Sequence, residues 1–262
     1  MNLKLITQQV CDLAKEVGSF VRSEVDMVRR EDIETKGLHD YVTYVDKTSE
    51  KRLVKGLTKI LPEAGFIVEE GTTKIKGQRY NWVVDPLDGT TNFLHHLPVF
   101  SISIALMDNN KVILGVVFEI NTRECFFAWK GGKAYLNDTQ IEVSSTKSLN
   151  DSLIATGFPY ADFSSLDNYL EVLRSFMKST RGIRRFGSAA VDLAYVACGR
   201  FDAFFEYGLH PWDVAAGAFI LQQANGIVTG FNGSNNFISN KEIVASNGYL
   251  HNIILSHVKK YL

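Results

Sequence analysis

The stretch Trp82-Val83-Val84-Asp85-Pro86-Leu87-Asp88-Gly89-Thr90-Thr91-Asn92-Phe93 is the most informative part of this chain. Trp82 to Val84 reads as a buried strand that delivers Asp85 at its end. Pro86 turns the chain, and Asp88 then falls where a helix N-cap is expected, with Gly89 and Thr90 behind it. Two carboxylates three residues apart across such a turn can face one space, with the N–H groups of Gly89, Thr90 and Thr91 beside them. A tight pair of acids suits a hard cation, and helix-start amides suit an anion. The same spacing also occurs at ordinary turns, where one acid caps a helix and the other accepts a turn hydrogen bond.

Outward from this stretch the hydrophobic periods change. Leu3, Ile6, Val10, Leu13, Val17 and Phe20 recur every three or four residues, which predicts an amphipathic helix, and a second helix is expected from about Asp46 to Ile60. β-rich runs follow at Gly65–Glu70, Tyr80–Val84, Val99–Met107, Lys111–Glu119 and Glu124–Lys130, with Asp108-Asn109-Asn110 and Gly131-Gly132 as turns. They read as an antiparallel meander. The second half alternates: a strand near Leu153–Thr156, a helix over about 164–178, and a helix opening at Gly187-Ser188. Then come a strand around Phe201–Glu206, a helix after Pro211, strands at Ile227–Phe231 and Glu242–Ala245, and a terminal helix. This is the βα rhythm of a layered mixed sheet. With no repeat or linker, residues 1–262 are expected to form one unit, in halves of about 1–145 and 146–262.

Three further acid positions lie at expected element ends: Asp46 after Val42–Val45, Glu69 and Glu70 after Phe66–Val68, and Asp213 in His210-Pro211-Trp212-Asp213. Clustering Glu69, Asp85, Asp88 and Asp213 without cations would be costly, because each like-charge pair at ~4 Å repels by about 4 kcal/mol at an effective dielectric of 20. Either the acids are dispersed or they bind metal. An all-oxygen set, with no Cys or His at ligand spacing, argues for Mg²⁺ over Zn²⁺.

Composition narrows the partners. The 262 residues carry 28 Lys and Arg against 29 Asp and Glu, with 45% hydrophobic residues. That is a globular chain without the basic excess that nucleic acid or an anionic membrane asks for, so the expected partner is a small molecule. Cys11, Cys125 and Cys198 are widely spaced and read as reduced thiols, consistent with a cytoplasmic location. Charges through the first thirty residues break up any signal-peptide core, and no apolar run approaches a membrane span.

Taken together, Asp46, Glu69-Glu70, Asp85-Pro-Leu-Asp88-Gly-Thr90-Thr91 and Trp212-Asp213-Val-Ala-Ala-Gly closely resemble the inositol monophosphatase family of Mg²⁺-dependent, lithium-sensitive phosphatases. The resemblance runs from about residue 5 to the C-terminus and implies the family's mixed α/β fold, a five-layered αβαβα sandwich. It implies two or three Mg²⁺ ions. Glu69, Asp85 and Thr90, with the Leu87 carbonyl, would hold the first; Asp85, Asp88 and Asp213 would hold the second; and Glu70, counted with the catalytic residues, would support the ligands from behind or sit near a weaker third ion. Asp46 and Thr90 would orient and deprotonate the attacking water. Phosphate would lie against Asp88, Gly89, Thr90, Thr91 and Asp213, and the sugar ring along Gly187, Ser188 and Ala189, with Glu206 accepting ring hydroxyls.

The resemblance also implies a homodimer and hydrolysis of myo-inositol 1-phosphate. Fructose 1,6-bisphosphate, NADP and 3'-phosphoadenosine 5'-phosphate are the competing substrates. A catalytically idle ligand-binding protein is the rival of another class. Lys36 would help hold water near the metals. Arg184 and Arg185 could touch substrate or a partner subunit but are expected on the solvated surface, His95 and His96 at the surface or a helix end, and Ser188 reads equally well as a plain N-cap. Phe158-Pro159-Tyr160 reads as a packed turn near the site mouth. Gln223 and Asn225 stand where the family usually has Glu and Gly, at an expected helix end where Asn suits a left-handed cap.

Overall fold

The structure is a computed structural model that describes residues 1–37, 40–159 and 162–262, with Lys36 and Asp40 as backbone. Tyr160 and the side chain of Lys36, both singled out above, lie outside what is described. The chain opens with α1 (Leu3–Glu24), whose buried Val10, Ala14, Val17 and Val21 share one face. Strands β1 (Glu34–Gly37) and β2 (Asp40–Val42) pair antiparallel and lead into α2 (Tyr44–Ile60). This helix starts two residues earlier than expected, because Thr43 and Asp46 form a capping box across its first turn.

The first large sheet holds β3 (Gly65–Val68), β4 (Tyr80–Asp88), β5 (Ser101–Asp108), β6 (Lys111–Glu119), β7 (Glu124–Trp129), β8 (Ala134–Leu136) and β9 (Thr139–Gln140), in that order. A short helix, α3 (Thr90–Leu94), follows β4. The meander is antiparallel from β4 onward, but β3 pairs parallel to β4, a correction to the sequence reading. The 69–79 segment causes it by returning the chain to the start of the sheet, where the N–H of Phe66 donates to the carbonyl of Ile75. Nor does Pro86 end β4. The strand runs on to Asp88 through an irregularity between Asp85 and Asp88, a place where a missing N–H is tolerated.

The second half contains β10 (Leu153–Thr156), α4 (Leu166–Ser179), β11 (Gly182–Arg184), α5 (Ala189–Ala197), β12 (Ala203–Tyr207), α6 (Pro211–Gln223), β13 (Ile227–Thr229), α7 (Phe237–Asn240), β14 (Glu242–Ser246) and α8 (His251–Lys259). Its sheet has the order β11-β10-β12-β14-β13, parallel across β11, β10 and β12 and antiparallel beyond. After α6, Asn225 takes φ +70°, the left-handed cap conformation anticipated for it.

Side-chain alternation along the strands sorts these elements into layers. On β4, Trp82 and Val84 face the core under α1 and α2, while Val83 faces α5 and α6. On β12, Phe204 faces α5 and α6, while Ala203 and Phe205 face α4 and α8. Helices α5 and α6 therefore lie between two sheets. Apart from Asp192 and Asp213 they are apolar nearly all round, with Val214 to Leu221 all buried, as a doubly covered helix requires. The outcome is the αβαβα sandwich expected from the family resemblance.

Candidate active site

The acids come together where β3, β4 and the starts of α2, α5 and α6 meet. The β3–β4 register pairs Val68 with Val84, which sets Glu69 alongside Asp85. Asp85 is buried, and its Oδ1 accepts the N–H of Leu87 at 2.9 Å. Burial first, then the charges of Glu69, Asp88 and Asp213, hold the Asp85 carboxyl well above its ordinary range. Asp213, in the first turn of α6, is raised for the same kinds of reason, with burial leading and Asp88 next. Its Oδ2 accepts the N–H of His210 at 2.6 Å, and Ser103 Oγ donates to the Trp212 carbonyl at 2.9 Å, tying that helix start to β5.

Asp88 does not cap α3, contrary to the sequence expectation. The N-cap is Gly89 at φ +98°, a conformation costly for any residue with a Cβ. Asp88 instead reaches the second half of the chain. Its Oδ2 accepts Ser188 Oγ–H at 2.6 Å and the Ala190 N–H at 2.8 Å, at the start of α5. Burial pushes its pKa up to about 6, with the Ser188, Ala190 and Ala189 hydrogen bonds opposing. Ser188 is itself the N-cap of α5, as its plain reading has it, bonding the Val191 N–H, and its hydroxyl also donates to Asp88.

Asp46 and Thr90 also meet. Thr90 Oγ1 lies 3.0 Å from Asp46 Oδ1 and 3.0 Å from the Leu87 carbonyl oxygen. Asp46 Oδ2 accepts the N–H of Thr43 at 2.8 Å and its hydroxyl at 2.7 Å. One carboxylate thus caps α2 with one oxygen and addresses Thr90 with the other. Burial raises its pKa, while the hydrogen bonds from Thr43 and Thr90 lower it.

Glu206 lies on β12, buried against the backbone of Gly157, where an added Cβ would stand 1.9 Å from its carboxyl group. Burial pushes its pKa up to about 8, Arg185 opposing and Asp88 adding. Thr91 is exposed on α3. It borders a cleft of about 480 Å³ that is also lined by Arg29, Arg30, His95 and His96, beside the acids rather than over them. His95 and His96 are exposed, as expected.

Four residues escaped the sequence reading. Asn92 Nδ2 donates to the carbonyls of Val99 and Phe186, both at 2.7 Å, and so fastens the motif helix to the segment before Gly187. Arg185 is not solvated surface: it is half-buried, its guanidinium stands 5.6 Å from the Phe158 ring, and its charge acts on Asp88, Asp192 and Glu206. Asp192 is a buried acid on apolar α5, held well above the ordinary aspartate range by burial, then by Glu206 and Asp88. Glu50, fully buried on α2, holds the backbone after β3. A charged residue at a helical core position was the available signal for Asp192 and Glu50.

Among the described residues, no three Asp, Glu, His or Cys side chains stand as a finished metal cage. The carboxylates are occupied by the N–H groups of Leu87, His210 and Ala190 and by the Ser188 hydroxyl. The donor chemistry nevertheless fits a hard divalent cation. Buried carboxylates that raise one another's pKa gain most from a cation, and hydroxyl and carbonyl oxygens complete an all-oxygen set.

Known proteins are similar to this chain in sequence and fold. The sequence model of the inositol monophosphatase family matches residues 2–262. The Nus factor SuhB of Pseudomonas aeruginosa is 41% identical over 258 residues, covering 95% of this chain and 94% of that one. The inositol-1-monophosphatase of Mesorhizobium japonicum is 38% identical over 250 residues, with coverage of 95% and 94%. Among solved structures, the extragenic suppressor protein SuhB of Bartonella henselae superposes with a TM-score of 0.94 at 38% identity, over 98% of this chain and all of that one. The Thermotoga maritima IMPase gives 0.88 at 34% identity, over 96% and 95%. With the sequence matched along its length and the layers in the same order, this chain belongs to the inositol monophosphatase family.

Proposed function

We propose that the protein is a Mg²⁺-dependent phosphomonoesterase that hydrolyses myo-inositol 1-phosphate, or a closely similar polyol phosphate, to the free polyol and phosphate. The observation that carries this reading is the meeting of Glu69, Asp85, Asp88 and Asp213 with the Asp46–Thr90 pair, drawn from both halves of the chain. Glu69, Asp85, Thr90 and the Leu87 carbonyl would hold one ion, and Asp85, Asp88 and Asp213 a second, with Glu70 near a third. Divalent cations there supply a water acidic enough to attack near neutral pH and neutralise charge on the phosphate.

The protein's own groups do the remainder. Asp46, addressed by the Thr90 hydroxyl, accepts the proton that the attacking water gives up. The first-turn N–H groups of Thr90 and Thr91, with Gly89, face phosphate oxygen, since helix-start donors have no partner within the helix. Gly187, Ser188 and Ala189 lie along the ring, and Glu206 accepts its hydroxyls. Halves 1–145 and 146–262 act as one catalytic unit, because Asp88 closes the site only by bonding to α5. The same proposal includes a homodimer in the cytoplasm. Among the described residues no helix is long and apolar enough to cross a membrane.

The substrate is tested by phosphate release from myo-inositol 1-phosphate, fructose 1,6-bisphosphate, NADP and 3'-phosphoadenosine 5'-phosphate, side by side with Mg²⁺. Preference for the inositol ester is expected. Preference for another ester would move the substrate and keep the chemistry. Release from none would leave the ligand-binding or partner role, the reading that a relative named as a Nus factor brings forward.

A further inference from the structure

The turn after β3 is held by Glu50, a residue with no part in the mechanism above. It lies four residues beyond Asp46 on α2 and has no solvent exposure. Its Oε2 accepts the N–H of Glu70 at 2.6 Å, and its Oε1 accepts the N–H of Thr72 at 2.7 Å. Between them Gly71 takes φ +65°, and the preceding donor, the N–H of Glu69, goes to the Val84 carbonyl at 3.3 Å. Glu69 is therefore tied on one side to β4, where Asp85 follows, and on the other to α2.

A buried carboxylate is an expensive way to hold a turn, since its desolvation must be offset by charge-assisted hydrogen bonds. What it achieves here is placement. Helix α2 sends Asp46 to Thr90 and Glu50 to the 70–72 backbone, so a single rigid element fixes two walls of the acid cluster relative to each other.

We propose that Glu50 is a positioning residue for cation binding: its two hydrogen bonds lock the 69–72 turn so that Glu69 keeps its place beside Asp85. The inference rests on the reading of these acids as metal ligands. Glutamine at position 50 matches the shape but has one acceptor oxygen, and its amide NH₂ would confront a backbone N–H. Aspartate keeps the charge and falls short by one methylene.

The test uses the full chain as wild type, Glu50→Gln and Glu50→Asp, stripped of metal by a chelator. Mn²⁺ binding is titrated by calorimetry, and phosphate release is followed against Mg²⁺ concentration. Both variants should bind Mn²⁺ about 10–100-fold more weakly, the range for groups that orient metal ligands, and should need correspondingly more Mg²⁺ for half-maximal release. Release at saturating Mg²⁺ should return close to the wild-type rate, which a general loss of folded protein would not allow. Wild-type-like Mn²⁺ affinity in either folded variant overturns the inference. If Glu50→Gln does not fold, Glu50→Asp carries the same test. Absence of Mn²⁺ binding in the wild type itself would instead overturn the metal reading of the site.

Discussion

Asp88 Oδ2 lies 2.8 Å from the backbone nitrogen of Ala190, a residue 102 positions further along the chain. This contact joins the end of β4 to the start of α5, and Ser188 Oγ, 2.6 Å away, reinforces it. The carboxylate proposed as a metal ligand therefore also sets how the Gly187–Ala189 segment meets the acid cluster.

Replacing Asp88 with Asn keeps one oxygen that can still accept both donors but removes the charge. Phosphate release should fall by about 100-fold or more, beyond the effect of losing a supporting group alone. A cooperative thermal transition close to the wild-type temperature should remain. Full activity in Asp88→Asn would remove Asp88 from the site.

Asp46→Asn separates the cap from the chemistry. The cap on α2 survives in part, so the stability loss should stay near or below about 1 kcal/mol. Without a carboxylate facing Thr90, turnover should drop by about 100-fold, the lower range for a lost general base. Urea melts and initial rates measured on one preparation decide between this and a purely structural Asp46.

Gly157→Ala acts at the opposite end of the site. A Cβ 1.9 Å from the buried Glu206 carboxyl must displace it. Overpacking of this kind costs about 1–3 kcal/mol. The Michaelis constant for the inositol ester should rise severalfold, while p-nitrophenyl phosphate, which has no ring hydroxyls to present, should be turned over nearly as before. Equal losses on both substrates would take Glu206 out of hydroxyl recognition.

The pH dependence of stability follows from Glu206. Burial leads in raising its pKa from 4.5 to about 8, so between those values the native state keeps a proton that the unfolded chain has released. Unfolding free energy then falls as pH rises through that window, and the full cost is present above about pH 8. Melting temperatures of chelated protein between about pH 5 and 8.5 should fall less steeply in Glu206→Gln than in the wild type. Identical slopes would contradict the assignment. Asp192, Asp85 and Asp213 are shifted in the same direction, and because the Glu206 charge helps to raise Asp192 and Asp213, its loss in Glu206→Gln flattens the slope further.

Much of this was legible before any coordinates. Asp85, Asp88 and Asp213 stand out because several acids fall at element ends in the pattern of one family, although each alone could serve a turn or a cap, and sequence pattern marked α1, α4, α5 and α6. The short strands β1, β2, β8, β9 and β11 left no pattern, since two to four residues carry too little alternation to register. The parallel β3–β4 pairing was hidden because it depends on where the 69–79 segment returns the chain, not on β3 itself. Gly89 in place of Asp88 as the cap of α3 was missed for a related reason. A residue's local capping propensity says nothing of a partner a hundred residues away, and Ser188 and Ala190 outcompeted the local helix for that carboxylate. Glu50 and Asp192 are visible as charged residues in core positions, but only packing shows what each one faces.

The account is tested most directly by following phosphate release from myo-inositol 1-phosphate by the wild-type chain, first after exhaustive chelation and then as Mg²⁺ is added back. Release should be absent in chelator and should rise saturably with Mg²⁺. Release that persists undiminished in chelator, or none at any Mg²⁺ concentration with this or the other three esters, would contradict the assignment of these acids to a metal-dependent phosphatase.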